Sequence, residues 1–272
     1  MNNEETTFKD DSAAVVRVEG KDRLSWLNGL VTCELAGAAP GQAIYGLFVS
    51  RVGKIQSDLW VLVAESAIYM VVPAASAEAL STMLDAHLIM EDAVMTSEPD
   101  LLPAFAFGSE PAAAEGVRGT FRWAGEEGTL TLVARGAELP TGPSDAVRLR
   151  HGWPRFGVDF DATMLPHEAS LEGVAVSFNK GCYLGQEVVC MVELRGQVKR
   201  KLVRLALPAL VAPATAVLDA AGNTIGETKS AALVDGVATA FALVKRAQSE
   251  PGASVHVAGA AATIRPAIGA VA

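Results

Sequence analysis

The undecapeptide NKGCYLGQEVV, residues 179–189, gathers the side chains of this sequence best suited to chemistry. Cys182 follows Gly181 and precedes Gly185, with Lys180, Tyr183, Gln186 and Glu187 around it. Glycines at both sides permit bends or close backbone approaches that a Cβ would block. The apolar run VAVSF leads into the stretch as a strand, and a helix is expected to begin near Gly185. A thiol on such a bend lies near the free N–H groups of the helix start and two residues from a lysine, and both favour a thiolate. The same spacing also suits a cysteine that only packs a tight turn. His87, His151, His167 and His256 are scattered along the chain, so no base stands beside the thiol in sequence. Cys33 and Cys190 read as small buried hydrophobes. Three cysteines without a CxxC pair argue against a disulfide framework or a structural zinc site, and one chain of this kind cannot supply four thiolates to an iron–sulfur cluster, so no metal is expected.

The elements that must hold this stretch can be read from periodicity. AAVVRVEG reads as a first strand, and Asp22 as the N-cap of a helix carrying Leu24, Leu27 and Val31. QAIYGLFVS, IQSDLWVLVA and AIYMVVP are three strands of a meander, separated by the glycine turn RVGK and a short polar turn. Ser76 is expected to cap a helix whose apolar stripe is Leu80, Met83, Leu84 and Leu88, a core face. From about residue 98 short β runs alternate with prolines and glycines up to a loop near 140–145. Beyond about residue 200 the pattern is strands only: KLVRLAL alternates, DAAGNTIGE and LVDGVA carry turn glycines, and ASVHVAGAAATIR alternates again. These predict a small antiparallel barrel or sandwich.

Composition narrows the function classes. Half of the 272 residues are hydrophobic and 19% are charged, which is globular rather than disordered. A formal net charge of −9 disfavours nucleic acid or an anionic membrane as the main partner. MNNEETTFKDD lacks the plan of a signal peptide, and no apolar run reaches the roughly 18–20 residues of a membrane span, so a cytoplasmic protein is expected.

KGCYLGQE followed by RGQVKRKL resembles the signature of the YgfZ family, folate-binding relatives of the glycine-cleavage T-protein whose hallmark is Lys-Gly-Cys-Tyr-x-Gly-Gln-Glu. WLNGLVT, GKIQSDL, LPHEASLEGVAVSF and NTIGETKSAALVDGVATAFALV resemble the family's N-terminal helix, glycine turn, motif lead-in and C-terminal barrel. The resemblance implies an α+β protein: mixed α/β folate-binding domains of the T-protein type, arranged as a ring around a folate-sized cavity, with a small C-terminal antiparallel β-barrel. Residues 1–50 with 146–200 would form the first α+β domain, carrying the motif, 51–145 the second, and 201–272 the barrel.

It also implies tetrahydrofolate as the bound small molecule, and a part in assembling or repairing iron–sulfur enzymes, with such enzymes or their assembly proteins as transient clients. Carried over position by position, Cys182 is the reactive thiol, and Asp58, Lys180, Tyr183, Gln186 and Glu187 are folate contacts, with Arg195, close by in sequence, added to that set. A pterin offers adjacent N–H donors to a carboxylate and a flat face for aromatic cover. Asp58 and Glu187 suit the first need, and Tyr183, Trp26 and Trp153 are candidates for the second, although a tryptophan serves equally in a core. Glu168 is either a site carboxylate or a turn cap. Lys180, Arg195, Lys199, Arg200 and Lys201 form a basic cluster that either faces the folate carboxylates or is a solvated helix end.

Three departures bear on the site. Cys190 and Met191 stand where the family has Ala-Arg, Ser57-Asp58 where T-proteins have Asp-Asp, and Arg150 where a folate-binding glutamate is expected. The preferred reading is a non-catalytic or weakly catalytic folate-binding accessory protein, with Arg150 and Met191 leaving open a protein that has kept the fold and lost folate. The alternative is a tetrahydrofolate-dependent aminomethyltransferase or demethylase.

Overall fold

The computed structural model describes residues 7–108, 115–196 and 198–269. The start of the acidic N-terminal stretch, residues 109–114 of the Pro/Gly-rich segment and Gln197 of RGQVKRKL lie outside them. In chain order the elements are β1 (Thr7–Lys9), β2 (Ala13–Glu19), α1 (Arg23–Asn28), β3 (Ala43–Val49), β4 (Ile55–Val63), β5 (Ala67–Pro73), α2 (Ala77–Asp85), β6 (Val94–Ser97), β7 (Leu101–Phe107), β8 (Arg118–Trp123), β9 (Glu126–Ala134), α3 (Asp145–His151), α4 (Glu172–Ala175), α5 (Gln186–Arg195), β10 (Arg200–Leu207), β11 (Ala216–Leu218), β12 (Thr224–Val234), β13 (Val237–Lys245), β14 (Ser254–Val257) and β15 (Ala260–Arg265). They form two compact units, Met1–Pro143 with Val174–Val188 and Ser144–Gly173 with Val189–Ala272.

In the first unit the expected meander is present as β3-β4-β5, extended by β2 and β6 into a five-stranded antiparallel sheet. Side chains alternate across a strand, so β4 sends Leu59, Val61 and Val63 to one face. There they pack with Trp26 and Leu27 of α1 and Leu80 and Leu84 of α2, while Met83 and Leu88 close the edge of the same core. The other face of β4 carries Asp58 and Trp60. A second sheet, β1-β7-β9-β8, meets that face through Tyr45, Trp60, Phe105, Phe121 and Trp123, whose ring centroids lie 4.8–6.2 Å apart. Tilted and edge-on pairs at this separation add to the plain burial of area.

Three local expectations are corrected. Asp22 and Ser76 stand at the N-cap positions, yet neither side chain caps its helix. The Asp22 carboxylate instead accepts the Asp92 N–H at 2.9 Å, and the Ser76 hydroxyl donates to the Pro73 carbonyl at 3.2 Å. VAVSF is not a strand: its first residues complete the short helix α4, and the rest runs as coil. Its polar backbone is met by one residue, because the Thr32 hydroxyl donates to the Ala175 carbonyl at 2.6 Å and the Ser177 N–H donates to the Thr32 carbonyl at 2.9 Å. An apolar run needs a partner strand to become one, and here a single threonine replaces it.

In the second unit the strand-rich tail closes into a six-stranded barrel, β10-β13-β12-β11-β14-β15. Val203, Leu205 and Leu207 of β10 point inward to a core with Val217, Ile225, Ala240 and Ile264. The alternate residues, Leu202 and Phe241 among them, pack outside against Leu149 of α3. Arg204, also on that outer face and fully buried, donates to the carbonyls of Leu149 at 2.8 Å and Pro266 at 2.8 Å. At the other end of α3, Ser144 caps the Val147 N–H. Arg148 and Asp159 then form a buried ion pair at 2.5 Å, and the Asp159 carboxylate also accepts from Arg155 N, Ser230 N and the Ser230 hydroxyl. Among the described residues, no helix is long and apolar enough to cross a membrane.

Candidate functional site

The motif loop is fixed at four points of the first unit. Gly185 has φ +79°, and a Cβ there would lie 2.3 Å from the Ser50 carbonyl oxygen, so only glycine lets the loop lie this close to the turn after β3. The Leu184 N–H donates to Gly29 O at 3.1 Å, and its side chain joins the apolar core under the sheet. Thr32 ties the segment before the motif to β3 as well, since its hydroxyl accepts the Leu47 N–H at 2.9 Å.

The fourth point is Lys180. Its ammonium is buried and donates to the carbonyls of Asn28 at 2.7 Å, Val31 at 2.8 Å and Cys33 at 2.6 Å, which use all three of its protons. It also lies 5.2 Å from the centre of the Tyr183 ring, close enough for a cation–π contact. Burial draws its pKa below the ordinary lysine value, with Cys33 and Glu34 pulling the other way. This corrects two expectations. Lys180 is not a free cation for a folate carboxylate, and its charge is committed to the backbone after α1 rather than left open to Cys182. Tyr183, likewise, is buried in the packing of the loop rather than laid open as a ring face.

What the fixed loop leaves in the open is Cys182. Cys33 is its opposite. Its sulfur sits against Gly46, where a Cβ would come within 2.4 Å of it, and burial pushes the thiol up to about 12 despite the opposing effect of Lys180. The native protein treated with iodoacetamide at neutral pH is therefore expected to be modified at Cys182, with Cys33 reacting only after denaturation, because thiolate and access are both required. Peptide mass mapping checks this; modification of native Cys33 would contradict the packing described.

Asp58 stands on β4 opposite Leu47, and Tyr45, two residues further along β3, donates its hydroxyl to the carboxylate at 2.9 Å. Burial, then the neighbouring Asp58 charge, raise the Tyr45 pKa well above normal, so the phenol keeps its proton. Asp58 is partly exposed at the border of the aromatic layer, an acceptor held in place by a donor. Ser57 is fully buried on the opposite face of β4, its hydroxyl on the Asp58 carbonyl. Tyr45 was legible in principle: β3 and β4 are a hairpin, and strand alternation puts residues 45, 47, 56, 58 and 60 on one face.

Gln186 and Glu187 open α5, Glu187 exposed in its first turn, and Arg195 is exposed in its last. Arg195 belongs to the second unit, as do Cys190, half-buried, and Met191, exposed. In that unit Arg200 lies 3.5 Å from Glu168 and Lys201 lies 3.4 Å from Glu172, so these two members of the basic cluster are already paired, and Arg150, outside the cluster, is bound to Asp235 at 2.8 Å. Trp26 is in the core under α1, its indole N–H on the His87 carbonyl at 3.2 Å, and Trp153 is buried in the second unit. The structure thus brings together Asp58 and Tyr45 on one hairpin, and Lys180, Tyr183 and Cys182 on one loop docked to that hairpin's turn.

No family model matches this chain. Among curated proteins it is similar to the "tRNA-modifying protein YgfZ" of Colwellia psychrerythraea, 23% identical over 219 residues that cover 69% of this chain and 67% of the relative. It is also similar to the "Iron-sulfur cluster assembly factor IBA57, mitochondrial" of Mus musculus, 28% identical over 262 residues, covering 84% and 73%. Among solved structures it resembles the glycine cleavage system aminomethyltransferase T from Bartonella henselae, with a TM-score of 0.78 over 96% of this chain and 84% of the other at 18% identity.

Proposed function

Because this chain is a YgfZ-family protein built on the aminomethyltransferase scaffold, we propose that it is a folate-binding accessory protein for the assembly or repair of iron–sulfur enzymes. The relatives named for iron–sulfur cluster assembly and for tRNA modification support the context. The observation that carries the folate reading is Asp58: a half-buried residue whose carboxylate is oriented by the Tyr45 hydroxyl at the border of an aromatic layer. This acceptor fits a pterin, whose adjacent N–H groups pair with a carboxylate in charge-assisted fashion. Arg51, exposed on the turn of the same hairpin, is the cation suited to the ligand's carboxylates in place of the committed Lys180. Glu187 and Gln186 are assigned secondary contacts. Tetrahydrofolate, when bound, would supply a carrier for one-carbon units. The chain's own residues bind and orient it, and Cys182 offers clients an accessible thiol on a rigid loop.

Calorimetric titration with tetrahydrofolate tests this. Wild-type protein is expected to bind saturably, and Asp58→Asn to weaken binding at least tenfold, about 1.4 kcal/mol or more, by replacing a charged acceptor with a neutral one. Equal affinity in the variant would remove Asp58 from the site. The transferase alternative predicts formation of methylenetetrahydrofolate from an aminomethyl donor, dependent on Asp58. The accessory reading predicts none, and a loss of iron–sulfur enzyme activity in cells carrying Cys182→Ala.

A further inference from the structure

The loop after α2 displays two large apolar side chains in a way that packing of this chain does not explain. Ile89 is 84% exposed and Met90 91% exposed, and Val94, at the start of the edge strand β6, is 62% exposed. Their exposure is not fraying. The Glu91 carboxylate turns back to accept the N–H groups of Ile89 at 2.9 Å and Met90 at 3.0 Å, which holds the backbone in a tight turn with both side chains outward. On one side the loop is anchored by the Trp26 indole on the His87 carbonyl and by Leu88 in the core. On the other, Asp22 N donates to Asp92 O at 3.0 Å, Asp92 N donates to the Asp22 carboxylate, and Ala93 is buried. Gly20 is required for this anchoring: at φ +109°, a Cβ would lie 2.0 Å from the Asp92 carbonyl oxygen.

The surroundings are predominantly acidic, with Lys21, between Gly20 and Asp22, an exposed cation beside them. Asp85, Glu91 and Asp92 are exposed around the apolar tip. Between Lys54 and Arg118 the sequence carries ten acidic residues and no lysine or arginine, and Arg17 of β2, which pairs with β6, is bound to Glu98 at 2.6 Å and Glu19 at 3.0 Å. A preformed apolar contact ringed by acids is complementary to a cation-flanked apolar surface, and a rigid tip loses little freedom on binding. The same acids repel an anionic membrane, and they repel a second copy of a chain whose net charge is −9.

We propose that Asp85, Ile89, Met90, Glu91, Asp92 and Val94 form a docking surface for a basic polypeptide segment with an apolar face, such as one side of an amphipathic helix on a partner protein. Ile89 and Met90 are the anchors, methionine being adaptable to varied apolar shapes, and the acids select for lysine and arginine. The surface is separate from the folate reading and stands or falls without it.

The test uses the full chain and a labelled 18-residue peptide with leucines on one helical face and lysines on the other, followed by fluorescence anisotropy. The double variant Ile89→Ser/Met90→Ser is expected to weaken binding at least tenfold, and Asp85→Asn/Asp92→Asn to weaken it and flatten its salt dependence. Leu233→Ser/Val237→Ser, a pair of exposed apolar residues on the β12–β13 hairpin, should leave it within twofold. All the substituted side chains are exposed, and thermal melts establish that the variants fold. Equal loss in both serine doubles, or no loss in either, overturns the proposal. So does binding of phosphatidylglycerol vesicles that depends on Ile89 and Met90, or self-association of the wild type that the first double abolishes.

Discussion

Lys180→Met will destabilise the first unit by about 3 kcal/mol and loosen the loop that carries Cys182. Three buried carbonyls, those of Asn28, Val31 and Cys33, lose their donor at once. Bonds to a charged group are worth roughly 1.5–3 kcal/mol each. The desolvation that lowers the lysine pKa offsets a large share of that sum, and relaxation of the backbone offsets more, which leaves a net of this size. Lys180→Arg is expected not to rescue it, because a planar fork does not reproduce three donors converging on one compact ammonium. Urea unfolding followed by circular dichroism measures the loss, and Cys182 alkylation kinetics report the loop. A Lys180→Met protein within 0.5 kcal/mol of wild type would mean that water replaces the ammonium without penalty.

The second large effect lies in the other unit. Asp159→Ala is expected to cost roughly 3–5 kcal/mol, because it strands a buried guanidinium and removes the acceptor of Arg155 N, Ser230 N and the Ser230 hydroxyl together. Asp145 also binds Arg148, at 2.6 Å, but is half-exposed, so Asp145→Ala should cost less than about 1 kcal/mol. The contrast separates burial from proximity. In a double-mutant cycle, Arg148→Met with Asp159→Ala should be less damaging than the sum of the single changes, because no unpaired charge remains. Additive losses would show that the pair does not act as one.

Both predictions rest on contacts that local patterns in the sequence do not reveal. Lys180 meets partners 147–152 positions away, and Asp159 meets Ser230 at a separation of 71. The meander, the stripe of α2 and the hairpins of the barrel were legible because each declares itself over a few residues, as alternation or as a 3.6-residue period. The fold expected from the KGCYLGQE resemblance also agrees with the likeness to the aminomethyltransferase structure. The candidate site was legible only in part. Asp58 is half-buried and Cys182 exposed, whereas Lys180 and Tyr183, on either side of Cys182 in the motif, face inward. Residue type announces a charge, but the backbone decides whether that charge meets solvent or carbonyls. VAVSF misled for a related reason, since its hydrophobicity matched a strand while Thr32 took up the hydrogen bonds a strand would need. The acidic run from residue 55 to 117, by contrast, is visible in the sequence, and only the exposed Ile89 and Met90 give it a use.

The first unit is assembled from two stretches of chain, the second of which begins at Val174. During synthesis its sheets and helices leave the ribosome long before the residues that finish them: Thr32 waits for Ala175, and the carbonyl of Val31 waits for Lys180, 149 residues later. Until then the segment after α1 lacks its ammonium and the core lacks Leu184. The nascent domain is thus an open structure whose closure is delayed by the time needed to make Ser144–Gly173, a window in which exposed core surface invites chaperones or misassociation. Contacts of this sequence separation also slow folding in free solution. The motif loop is therefore both the carrier of the thiol and the last piece of its own domain to arrive, so the exposed cysteine is presented in final form only on a chain that has been completed past Val188.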